Sequence, residues 1–280
     1  MSRWNMTMQR RLSVALPILL AAAASIAGPA ARAGAARQQP PAAQPPQTPR
    51  AAAPIDLTGY WVSVVTEDWR WRMLTPPKGD YTSIPLNAEG RRVADTWDPG
   101  QAASNGCRPF GAAAVMRVPG RLHVTWEGDD VLKIETDAGQ QTRRLRFDPS
   151  TGSGSSRAQS RDDKTTKPSS EPTWQGSSVA EWMIVGGGRG ARGAPPQPRD
   201  GSLKVVTTNM RAGYYRKNGV PYGEHAEVTE YFDRHADYGF EWFTVTTIVE
   251  DPQYLTQPFI TSTHFKREAD GAKWAAMPCE

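Results

Sequence analysis

Between Asn209 and Glu230 the chain gathers an amide, a guanidinium, two phenols and a carboxylate: Asn209, Arg211, Tyr215, Tyr222 and Glu230. Asn218-Gly219 lies in the middle of the stretch and is the preferred pair for a two-residue type I′ hairpin turn. Folding the chain about that turn places Lys217 opposite Val220 and Arg216 opposite Pro221. The second is a non-hydrogen-bonded pair, so the proline removes no ladder amide. Continuing the register sets Tyr215 against Tyr222, Arg211 against Ala226, Asn209 against Val228, Thr207 against Glu230 and Val205 against Phe232, all on one face. The opposite face carries Lys204 and Asp233, a pair suited to solvent, so the first face is assigned to the interior.

A buried charge is costly unless paired and hydrogen-bonded. Asn209, Arg211 and Glu230, with Tyr215 and Tyr222 at the mouth, therefore either line a wet cavity that holds a small, partly apolar ligand or form a structural network. An inverted face would instead put them in water. Within a cavity, burial would raise the pKa of Glu230 and make it the candidate base of a hydrolase or isomerase, assisted by Arg211.

Other chemistries find little support. His123, His225, His235 and His264 form no metal-ligand pattern, and no Gly-x-Ser-x-Gly elbow occurs. Gly186-Gly187-Gly188 lacks the Gly-Lys-Ser/Thr of a phosphate loop. No metal or cofactor is expected. Cys107 and Cys279 are the only cysteines, and in an oxidising compartment they most simply form a disulfide; two free thiols or metal ligands are the alternative.

The start of the chain has the parts of a secretory signal: Arg3, Arg10 and Arg11, an apolar run over 12–27, and Ala31-Arg32-Ala33 as a cleavage pattern. A signal over 1–33 predicts a periplasmic or secreted protein with no membrane span in its mature part. The precursor has 33 Lys and Arg against 29 Asp and Glu, but four of those bases (Arg3, Arg10, Arg11, Arg32) lie in the signal, so the mature charges balance. A nucleic-acid binder needs a cationic surplus, and the part after residue 33 has none.

Residues 34–54, rich in Ala, Pro and Gln, read as a disordered linker. Residues 55–280 read as one domain with loop insertions near 150–172 and 186–200. Between these breaks, period-two patterning with β-branched and aromatic residues predicts strands at 59–66, 113–118, 121–127, 131–136, 142–147, 177–185, 203–217, 220–234, 240–249 and 258–267. One short helix is predicted over 87–97, capped by Asn87. The fold class is all-β, an antiparallel up-and-down barrel or strongly curved sheet, because closure protects the edges of so many strands. Nine tryptophans remain after residue 33, most of them suited to the core.

Asp56-Leu57-Thr58-Gly59-Tyr60-Trp61 resembles the Gly-x-Trp opening of lipocalin-like and avidin-like barrels. The resemblance implies that Trp61 plugs one barrel end under a basic side chain of the last strand, Lys266 or Arg267. The chain departs from lipocalins in lacking their Thr-Asp-x-x-Tyr motif and the helix after the barrel. The stretch from Ser177 through Trp182, Gly201 to Arg211 and Asp251 to Leu255, with Cys279, also resembles a family of exported bacterial proteins; this implies export and a domain boundary but no chemistry. The reading that follows is an exported small-molecule-binding protein. A hydrolase or isomerase using Glu230, and a structural or surface-interaction module acting through its loops, are the alternatives.

Overall fold

The computed structural model describes residues 47–101, 106–148, 171–185 and 200–279. The expected signal, most of the linker and nearly all of both insertions lie outside them. The elements in chain order are β1 (Gly59–Val64), α1 (Trp69–Met73), α2 (Ala88–Ala94), β2 (Arg121–Glu127), β3 (Val131–Thr136), β4 (Ala138–Gly139), β5 (Thr142–Phe147), β6 (Ser177–Val185), β7 (Asp200–Thr208), β8 (Gly213–Arg216), β9 (Val220–Tyr222), β10 (Glu227–Asp237), β11 (Phe240–Glu250), β12 (Phe259–Glu268) and β13 (Met277–Pro278). Among the described residues no helix is long and apolar enough to cross a membrane.

Nine strands close into a barrel in the order β1-β12-β11-β10-β7-β6-β5-β3-β2. The all-β barrel with one short capped helix is therefore present, but it is not uniformly up-and-down. An odd ring of strands cannot alternate direction all the way round, so one neighbouring pair must run parallel. That pair is β5 with β6, where Leu145 meets Ser178 and Phe147 meets Ala180. A parallel pair needs a long crossover, and the chain supplies it between residues 148 and 176, the position of the first insertion.

Alternation fills the barrel from every strand. Trp61, Leu132, Ile134, Leu145, Leu203, Phe232, Phe243 and Phe265 point inward and are under 2% exposed. Residues 113–118, expected as a strand, instead form a 3-10 turn at Val115–Arg117, and Val115 and Met116 join the cluster around Trp61. Small side chains at Ala112, Ala113 and Ala114 let this backbone pack closely enough to be buried, and an apolar run buried all round mimics a strand in sequence. A second core closes over the other part of the fold, where Tyr81, Leu86, Ala94, Tyr215, Tyr222, Leu255 and Phe259 pack together.

α2 begins where the sequence places its cap. The Asn87 side chain accepts a hydrogen bond from Gly90 N at 2.8 Å and donates to Gln253 O at 3.0 Å. Asn87→Ala loses both and is expected to cost about 1–2 kcal/mol, read from the urea midpoint. The short α1 carries no such signal and was not anticipated. The segment before β1 also packs: Trp182 Nε1 donates to Pro49 O at 2.8 Å and Arg50 N to Asp129 O at 3.0 Å.

The ribbon about Asn218-Gly219 departs from its expected register. Arg216 faces Val220, Tyr214 faces Pro221 and Gly213 faces Tyr222, with a bulge between Tyr214 and Arg216. Positive φ occurs at Gly219 (81°) but not at Asn218, so the type I′ requirement is unmet and a three-residue loop, Lys217-Asn218-Gly219, makes the turn. Gly219 is required there twice over: a Cβ would lie 2.3 Å from Trp97. The ribbon is also interrupted. β7 ends at Thr208, Asn209 turns with φ 55°, and β8 and β9 form a separate two-stranded sheet. β10 consequently pairs with β7 as Val228 to Thr207, Glu230 to Val205 and Phe232 to Leu203, two residues from the expected register. A slip of two preserves the faces, so the expected interior assignment of Val205, Thr207, Val228, Glu230 and Phe232 holds.

Candidate functional site

Glu230 lies inside the barrel with no exposed surface, and its partner is Arg143 of β5, not Arg211. The pairing is bidentate: Arg143 Nη1 donates to Oε1 at 3.0 Å and Nη2 to Oε2 at 2.5 Å. Arg143 Nη2 also reaches Thr207 Oγ1 at 3.5 Å, and Thr207 shares a 2.8 Å hydrogen bond with Ser178 Oγ. A fork-to-fork pair of this kind neutralises both charges and satisfies most of their hydrogen-bonding capacity. Arg143 was readable in the sequence. Leu145 and Phe147 face inward, so period two sends Arg143 to the same interior as Glu230.

Arg211 is exposed, with its guanidinium 4.6 Å above the Trp174 ring, because the chain leaves the barrel at Thr208. Asn209 is half-buried at that departure. The expected meeting of Asn209, Arg211 and Glu230 in one enclosed space does not occur, and its cause is the break in the ribbon. Tyr215 and Tyr222 do come together, with ring centroids 5.5 Å apart, but within the second core. Tyr215 donates to Asp251 Oδ2 at 3.4 Å, and burial beside that carboxylate holds its hydroxyl well above the usual phenol range. The Tyr222 hydroxyl fits where Gly111 and Gly213 lack side chains, since a Cβ at either would collide with it, and burial raises its pKa too.

Trp61 is fully buried, donates from Nε1 to Leu57 O at 2.9 Å, and lies 5.3 Å beneath the Arg267 guanidinium. Cys107 and Cys279 are bonded, with Cα atoms 4.8 Å apart. The bridge ties β13, which pairs with β4, to the 3-10 turn Arg108–Phe110.

That turn helps to form an open groove of about 300 Å³ on the outside of the barrel. Trp97, from the segment after α2, and Tyr254 form aromatic walls; Tyr214 and Pro221 come from the β8–β9 hairpin, Tyr222 lies beneath, and Arg108 stands at the side. Arg108 Nη1 donates to the Tyr214 hydroxyl at 3.0 Å. The guanidinium is otherwise exposed and the Tyr214 ring half-buried, so a ligand can meet a cation and flat apolar surfaces together. Of the ligand-binding residues expected from sequence, Tyr222 alone contributes. Trp97, Arg108, Tyr214 and Tyr254 were missed because four separate segments supply them, and no pattern in one segment reports the meeting. Among the described residues no group of three or more His, Cys, Asp or Glu side chains is placed to hold a metal ion.

Searches against protein-family models, curated proteins and solved structures found no match to the chain.

Proposed function

We propose that the protein is an exported binding protein for a small, partly apolar molecule, and that the groove beside the β8–β9 hairpin is where the molecule sits. The observation that carries this reading is the groove itself, where aromatic side chains adjoin the exposed Arg108 guanidinium, with the Asp98 carboxylate also in the lining. Its volume of about 300 Å³ lies at the small end of the range for small-ligand sites, and polar and apolar groups share its lining. The lipocalin-like reading of a ligand inside the barrel is less well supported, because bulky side chains and the Arg143–Glu230 pair occupy the interior. The leader sequence and the disulfide favour an oxidising compartment outside the cytoplasm.

The same geometry weighs against the acid–base alternative. A general base must reach a substrate proton, whereas Glu230 has no exposed surface and both oxygens are engaged by Arg143. The interaction-module alternative is favoured by the exposed Val179, Met183 and Ile184 on β6, next to the second insertion. Deleting 186–199 would then abolish partner capture while leaving groove binding unchanged.

An aromatic sulfonate dye, anilinonaphthalene sulfonate, suits the groove chemistry. Titration of the native protein should give saturable one-site fluorescence enhancement. The Arg108→Ala, Tyr214→Ala double variant, verified as folded by circular dichroism, should weaken it by about tenfold or more, the equivalent of one lost charge-assisted contact. Arg211→Ala, whose side chain is not part of the groove lining, should leave it unchanged. Equal affinity in the double variant would refute the groove.

A further inference from the structure

Three buried arginines meet beneath α1, away from the groove. Arg72 comes from α1, Arg117 from the 3-10 turn after residue 114, and Arg216 from β8. All three residues are more than nine-tenths buried. Two have carboxylate partners: Arg72 binds Glu67, and Arg117 Nη2 donates to Asp68 Oδ2 at 2.7 Å. Arg72 Nε also donates to Arg117 O at 2.9 Å, which fixes those two side by side. Arg216 makes no ion pair among the described residues; its guanidinium lies 5.1 Å over the Trp71 ring. The nearby Asp80 is already taken by Trp71 Nε1 at 3.0 Å and by Arg70.

Four guanidinium nitrogens in this cluster are buried with no partner: Arg72 Nη2, Arg117 Nη1 and both terminal nitrogens of Arg216. Native proteins rarely leave such donors unmet, and leaving a buried charge unpaired is more costly still. Burial, and then the neighbouring Arg117, push the Arg216 guanidinium down to about 10, the sense expected of excess positive charge. Together the cluster carries more cation than its two carboxylates neutralise, and its spare donors come from three different elements.

We propose that Arg72, Arg117 and Arg216 form a binding site for a compact tetrahedral oxyanion of the phosphate or sulfate type. Guanidinium forks match the oxygens of such an anion, and three of them arriving from separate elements suit its shape better than a planar carboxylate. The spare nitrogens are tightly packed, so the anion is admitted by a swing of Arg216 and Trp71, and it stabilises the region by supplying the missing acceptors. The site is independent of the groove and of the reading given to it.

Thermal unfolding of the full mature protein in sodium phosphate, sulfate, acetate or chloride at equal ionic strength tests this. Phosphate and sulfate should raise Tm by a few degrees over chloride, as ligands of the native state do, with acetate giving less. Arg216→Met should abolish the difference, and in chloride it should be no less stable than the native protein. Arg216→Lys, a point charge without a fork, should need about tenfold more phosphate for the same shift. Arg211→Met should respond like the native protein. A phosphate response no larger than that to chloride, an undiminished response in Arg216→Met, or marked destabilisation of Arg216→Met in chloride would each overturn the proposal.

Discussion

Glu230→Leu, made alone, is expected to lower the stability of the barrel by about 3–5 kcal/mol. The substitution leaves the Arg143 guanidinium inside the core with only Thr207, at 3.5 Å, to receive it. Fully buried charges cannot recover hydration, so the loss measures a stranded ion more than a missing attraction. The double variant Arg143→Met, Glu230→Leu removes both charges and fills the same space with apolar atoms; it should regain most of the loss, or exceed the native protein. Urea unfolding of the two single variants and the double gives the coupling directly. Additive single losses would show that the two side chains do not meet. This cycle also separates a structural role for Glu230 from a catalytic one.

Loss of the Cys107–Cys279 bridge is the second large effect. With the two cysteines 172 positions apart in sequence, the chain-entropy account puts its contribution at about 5 kcal/mol, and measured values for such links are more often about 2–4 kcal/mol. The Cys107→Ser, Cys279→Ser variant should unfold at correspondingly lower urea. It should also bind the aromatic dye more weakly at temperatures where it remains folded, because Cys107 adjoins Arg108 at the groove. Reduction of the native protein should reproduce both changes. Unaltered dye binding would mean that the turn bearing Arg108 is held by its packing on β8 alone.

Much of the fold was legible because a barrel strand declares itself locally. The strands at 121–127, 131–136, 142–147 and 177–185 match β2, β3, β5 and β6, and alternation placed Val205, Val228 and Phe232 inside even though the pairing of β7 with β10 slipped by two. Asn87 showed its cap because an N-cap depends only on the next few residues. The parallel β5–β6 pair was hidden because it follows from strand number and closure, which no single segment encodes. The turn at Asn218-Gly219 misled because two loop lengths share that dipeptide, and packing of Gly219 against Trp97 accompanies the three-residue form. Arg211 falls outside the barrel for a different reason: β7 ends at Thr208 and the chain turns away at Asn209, a break that no local turn signal marks. Half of the inner ion pair was visible in Glu230; the other half, Arg143, required applying the same alternation to a strand with no other unusual feature.

The most direct test is a crystal structure of the protein purified with whatever it carries from its native host. Ligand density is expected against Trp97 and Tyr214 with a polar end near Arg108, above a dry barrel in which Arg143 grips Glu230. Density inside the barrel, with those two side chains parted around it, would contradict that expectation.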